Sequence, residues 1–107
     1  MSDVGESERQ LHGGWSISRA PTSVDQAILD KVKLQYEIRA SKNSGEFLAV
    51  LVRTQIVSGT NYLFKVYIGE RTYSHLRVFE PLPCTNKGPV LVDFQQNMTM
   101  DDKLEVF

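Results

Sequence analysis

The stretch Asn61-Tyr62-Leu63-Phe64-Lys65-Val66-Tyr67-Ile68 decides the fold. Tyr62, Phe64, Val66 and Ile68 occupy every second position, the period of a β-strand, and alternate with Asn61, Leu63, Lys65 and Tyr67. The first set is expected to face a helix and the second to lean toward solvent. Working outward, Phe47 to Gln55, Tyr73 to Glu80 and Pro89 to Gln96 are also rich in β-branched and aromatic residues and read as three more strands. The breaks between them are Val57-Ser58-Gly59, Gly69-Glu70-Arg71-Thr72 and Leu82-Pro83-Cys84-Thr85-Asn86-Lys87-Gly88. Such lengths suit hairpins and leave no room for crossover helices, so the sheet is an antiparallel meander with Leu76 and Val78 continuing its inner face.

Upstream of the strands, Val24, Ile28, Val32 and Tyr36 recur at every fourth position with Ala27 and Leu29 beside them, while Asp25, Lys31, Lys33 and Glu37 fall elsewhere. This spacing predicts one amphipathic helix. It should begin at a Thr22 cap after Pro21 and end around Ala40, before the turn cluster Ser41-Lys42-Asn43-Ser44-Gly45 with its terminal glycine. The fold class is therefore α+β, a single α-helix packed across a twisted antiparallel β-sheet. Residues 1–12 are polar and charged and read as a flexible N-terminal extension. Gly13-Gly14 follows and opens a single domain over residues 13–107, in which Trp15 and Ile17 stand on a segment with no helical period.

The chain has 107 residues, 41% hydrophobic and 23% charged, and one core of this size has no room for a deep catalytic cavity as well. Lys plus Arg number 12 against 13 Asp plus Glu, a net charge of -1, so the basic field of a nucleic-acid binder is missing and proteins are the expected partners. The first twenty residues carry Asp3, Glu6, Glu8 and Arg9 and no apolar core of a signal peptide, so a cytoplasmic location is expected. The longest apolar run, Phe47 to Val52, is far short of the roughly 20 residues that span a bilayer, so no membrane association is expected. Cys84 is the single cysteine, which excludes an internal disulfide and suits a reducing compartment.

Chemistry finds little support. A Cys84 nucleophile would need a base, and the two histidines are His12 in the extension and His75 in a strand. His75 alternates with Tyr73, Arg77 and Phe79 and is expected on the surface, facing away from the helix. Cysteine and histidines lack the close spacing of a zinc site, Asp101-Asp102 lacks the alternating oxygens of a calcium loop, and Gly69 stands outside any phosphate-cradling pattern. No metal, no cofactor and no enzyme activity are expected.

One run stays unexplained by packing. Gln55-Ile56-Val57-Ser58-Gly59-Thr60-Asn61-Tyr62 puts an apolar, β-branched Val57 at a hairpin tip, where positive φ is often demanded, and this predicts a strained or bulged tip. The run resembles the QxVxG signature of the cystatins. Gly13-Gly14, Asp30-Lys31-Val32-Lys33, His75-Leu76-Arg77-Val78-Phe79, Leu82-Pro83 and Asp101-Asp102-Lys103-Leu104 follow in family order, so the resemblance covers Gly13 to Phe107. Secreted cystatins carry a signal peptide, disulfides and a Pro-Trp pair in the last hairpin, none of which stands here, and the stefin (type 1) branch is the better fit.

The resemblance implies a cystatin-like fold and reversible, tight-binding inhibition of papain-like, cathepsin-type cysteine proteases. A three-part wedge would fill the cleft: the arm at Gly13, Gly14 and Trp15, the first hairpin at Gln55, Ile56, Val57, Ser58 and Gly59, and the second at Leu82, Pro83 and Cys84. Gln55 either touches the protease or braces its hairpin, and Gly59 either contacts it or only supplies unusual dihedrals. Trp15 either anchors in a subsite or covers the helix end. Cys84 touches the target, pairs with another chain or does neither. The active form is expected to be a monomer, with a domain-swapped dimer as the product if a strained Val57 hairpin opens. The alternative is a non-inhibitory protein-interaction module on the same scaffold.

Overall fold

The computed structural model describes residues 14–107; the 1–12 extension and Gly13 lie outside the described residues. Four strands, β1 (Leu48–Val57), β2 (Gly59–Gly69), β3 (Thr72–Glu80) and β4 (Val90–Met98), form an antiparallel sheet in the order β1-β2-β3-β4. The meander is therefore as expected. The strands of the first hairpin run further than their composition suggests, with Val57 paired to Gly59 and Ser58 alone between them. Positive φ at this tip falls on Gly59, at 118°, while Val57 belongs to β1. The positive φ expected of Val57 is thus corrected to Gly59. Glu70 and Arg71 turn the second hairpin, both left-handed, a pairing whose twist matches that of the flanking strands.

The helix is two: α1 (Ser23–Asp30) and α2 (Lys33–Ala40). Thr22 caps α1, its side chain accepting from the Asp25 amide while Asp25 Oδ2 accepts from the Thr22 amide. Between the helices the Lys31 and Val32 amides donate to the carbonyls three residues back, a turn of tighter 3-10 bonding that bends the layer. The C-terminal left-handed residue is Ser41 rather than the glycine of the following cluster.

Ile28, Leu29, Val32 and Tyr36 pack with Val52, Tyr62, Phe64, Val66, Ile68, Leu76, Val78 and Leu91 as one core. Val24 and Ala27 are exposed, because α1 turns the face of Asp25, Ile28 and Leu29 inward and leaves these two beside it. Two glutamines grip strand backbones as a neighbouring strand would: Gln26 donates to the Phe47 carbonyl and accepts from the Ala49 amide, and Gln35 does the same with Pro89 and Leu91.

The opposite face of the sheet corrects the expectation of solvent exposure. Leu63 is fully buried, Lys65 is 2% exposed and His75 1%. His75 does face away from the helices, but the segment 99–107 folds back over it. Lys65 Nζ donates to the carbonyls of Met100 (2.6 Å) and Asp102 (2.5 Å), Arg53 to Leu104 (2.9 Å) and Arg77 to Phe107 (2.6 Å). Leu104 is buried as well. A half-apolar strand face with an apolar tail beyond the last strand was the signal for this cover.

Candidate functional site

Residues 15–19 run antiparallel along the outer edge of β1. Trp15 bridges to Gln55 and Arg19 to Val52, the latter through reciprocal amide-to-carbonyl bonds of 3.0 Å. Ser16 donates its amide to the Thr54 carbonyl (2.8 Å), and its Oγ accepts from the Thr54 amide (2.9 Å). Arg19 also clamps Asp25 at 2.7 Å, tying this strand-like segment to the start of α1. Burial alone would raise the Asp25 carboxyl, but the Arg19 and Thr22 hydrogen bonds outweigh it and hold it below its ordinary range. Gly14 consequently leaves the sheet beside the first hairpin. Paired residues share a face, and the bridge puts Trp15 with Gln55 on the side of the sheet away from the helices.

At the first hairpin Ile56 is 59% exposed and Val57 45%, an uncommon display of β-branched carbon at the end of a sheet. Ser58 is exposed beside them. Asn61 Nδ2 donates to Gln55 Oε1 (2.9 Å), so Gln55 does brace the hairpin across its two strands. Gly59 has a double reason to be glycine. Its φ is left-handed, and a Cβ there would lie 2.6 Å from the Glu80 carbonyl oxygen and 2.7 Å from the Phe79 ring. The end of β3 can reach the first hairpin, pairing Thr60 with Glu80, only because that side chain is missing.

From Glu80 the chain enters the third piece. Leu82 is extended, Pro83–Thr85 form one 3-10 turn, and Asn86 closes it in the left-handed region. The Leu82 carbonyl accepts from both the Thr85 amide (3.0 Å) and Thr85 Oγ1 (2.8 Å). Leu82 is 44% exposed, and Pro83 and Cys84 are exposed with it, the Cys84 thiol free.

The register brings these pieces to one end of the sheet: Gly14 and Trp15 outside β1, residues 55–59 between β1 and β2, and Leu82, Pro83 and Cys84 between β3 and β4. Strands sit about 4.8 Å apart, so the two loops lie about 10 Å from each other. Backbone hydrogen bonds hold each piece, and the side chains they present are largely apolar. His75 is remote from this end: five strand residues at about 3.3 Å each place it about 16 Å before the end of β3, where the Cys84 loop begins. Burial first, then the Lys65 ammonium, push its pKa down, with Asp102 opposing. Among the described residues no base is paired with the Cys84 thiol. No helix among the described residues is long and apolar enough to cross a membrane.

A bent helical layer across a four-stranded antiparallel meander, with an N-terminal segment and two loops gathered at one sheet end, defines a cystatin-like α+β protein. Residues 13–101 match the family described as Cystatin domain. Similar relatives include Leukocyte cysteine proteinase inhibitor 1 of Sus scrofa, 41% identical over 95% of this chain and 99% of its own. Cystatin-A of Homo sapiens is 42% identical over 91% of this chain and 99% of its own, and Stefin-C of Bos taurus 43% over 89% and 94%. The chain belongs to the cystatin family, in its stefin branch.

Proposed function

We propose that this protein is a reversible, tight-binding inhibitor of papain-like cysteine proteases of the cathepsin type, acting in the cytoplasm as a monomer. The observation that carries this reading is the gathering of Gly14, Val57 and Leu82, from three separated parts of the chain, at one backbone-braced end of the sheet. The name of the pig relative, Leukocyte cysteine proteinase inhibitor 1, supports it.

The mechanism is occlusion. Val57, Ile56 and Leu82 offer apolar surface to a cleft, and the hairpins are already ordered, so little conformational entropy is lost on binding. Gly14 lets the arm backbone approach the groove closely, with Gly13 continuing it. The wedge covers the catalytic thiolate without aligning a peptide bond for attack, so binding free energy accumulates and no barrier is lowered. The reading needs no cofactor or metal.

Titration of papain activity with the purified chain tests it. Stoichiometric, reversible inhibition is expected, with the inhibitory species eluting at the mass of one chain. Gly14→Glu should weaken it through clash and a stiffer arm. Val57→Asp, which would carry an unpaired charge into an apolar cleft, should weaken it by about a hundredfold. Titration curves that stay flat up to a large molar excess would turn the reading to the non-inhibitory interaction module.

A further inference from the structure

Arg53 lies on β1, on the sheet face away from the helices, opposite Leu63. Its guanidinium reaches two backbone carbonyls from opposite ends of the chain. Nε donates to the Ser16 carbonyl and Nη1 to the Leu104 carbonyl, each at 2.9 Å. Ser16 is buried, bonded to Thr54 through both its amide and its hydroxyl, and is the residue from which Trp15 and Gly14 continue toward the hairpin end. Leu104 is buried in the C-terminal segment, which Lys65 holds at Met100 and Asp102 and Arg77 holds at Phe107.

We propose that Arg53 is a positioning residue that couples the seat of the C-terminal segment, at Leu104, to the placement of the N-terminal arm, at Ser16. A guanidinium is a planar fork whose hydrogens point in fixed directions, so holding one carbonyl sets where the other must be. A lysine ammonium can also reach two carbonyls, as Lys65 does, but its donors radiate from one freely rotating nitrogen and do not fix the position of one carbonyl by that of the other. The C-terminal segment lies on the flat of the sheet, yet it sets the position of a piece at the sheet's end. The consequence for inhibition rests on the reading given above; the placement of Trp15 does not.

Trp15 is the single tryptophan, so its fluorescence reports the arm directly in the free full-length protein. Acrylamide quenching of Trp15 should rise about twofold or more in Arg53→Met, as charge-assisted bonds are lost and the arm opens locally, and less in Arg53→Lys. Leu104→Ala, which loosens the C-terminal segment without touching Ser16, should raise it as well. Amide exchange in β2 and β3 should stay at the wild-type level, separating an opened arm from a loosened fold. Against papain, Arg53→Met should weaken inhibition about tenfold in the native background and by less than about twofold when combined with Gly14→Glu, because the arm no longer contributes there. Unchanged quenching in all three variants, or an equal loss in both backgrounds, overturns the proposal. Should the wild type leave papain active, the inhibitor reading falls, and Trp15 quenching alone decides this one.

Discussion

A methyl group on residue 59 would meet the Glu80 carbonyl and the Phe79 ring inside contact distance, on a backbone already at φ 118°. Gly59→Ala should therefore cost about 2–4 kcal/mol, combining left-handed strain with overpacking against backbone that cannot swing away. A urea midpoint measures it; a variant as stable as the wild type would mean that β3 does not press on this hairpin. The site residues divide on this point. Glycine in the signature was legible from sequence, but its cause was not, because the atoms it makes way for lie twenty residues downstream in a strand whose register no local pattern prints. Val57 is the reverse case: its exposure at the tip was legible, while the positive φ expected of it belongs to the glycine two residues on, which adopts it without strain.

At the scale of elements, the sheet's alternation fixed which residues face the helices, and Tyr62, Phe64, Val66 and Ile68 are all in the core. The other parity misled. Leu63, Lys65 and His75 alternate as surface residues do, and only the return of 99–107 buries them. That return has no period of its own, since it is held by sheet cations on backbone carbonyls rather than by strand pairing. It also leaves a buried histidine next to a buried ammonium, and His75 Nε2 finds no hydrogen-bond partner among the described residues. The His75 pKa lies below its ordinary 6.5 in the folded state, by burial first and Lys65 second. The sign follows: the unfolded chain binds the proton more readily, so the stability contributed by neutral His75 is full above about pH 6.5 and is lost as pH falls from there toward the lowered folded pKa. One proton allows a slope of at most about 1.4 kcal/mol per pH unit. His75→Gln should flatten the stability profile in that window by denaturant titration at several pH values; an unchanged slope would place the acid-sensitive group elsewhere.

At the scale of the whole molecule, the sheet separates its two ends by task. One end carries Gly14, the Val57 hairpin and the Leu82 loop; the other carries the Gly69–Thr72 turn and the loop after α2, and the helices and the C-terminal segment cover the two faces between. Nothing in local sequence declares which loops share an end; the meander does, because alternate hairpins of an up-and-down sheet lie at the same end. Once four strands and three hairpins were read, the first and third hairpins had to be neighbours, and the arm joined them through its pairing along β1. The measurement that tests this account most directly is an amide chemical-shift footprint of the labelled protein bound to papain whose catalytic thiol has been alkylated. The account predicts changes concentrated at Gly14–Trp15, Ile56–Gly59 and Leu82–Cys84, with Gly69–Thr72 unmoved. A footprint centred on the opposite end of the sheet, or one that leaves any of the three pieces untouched, would contradict it.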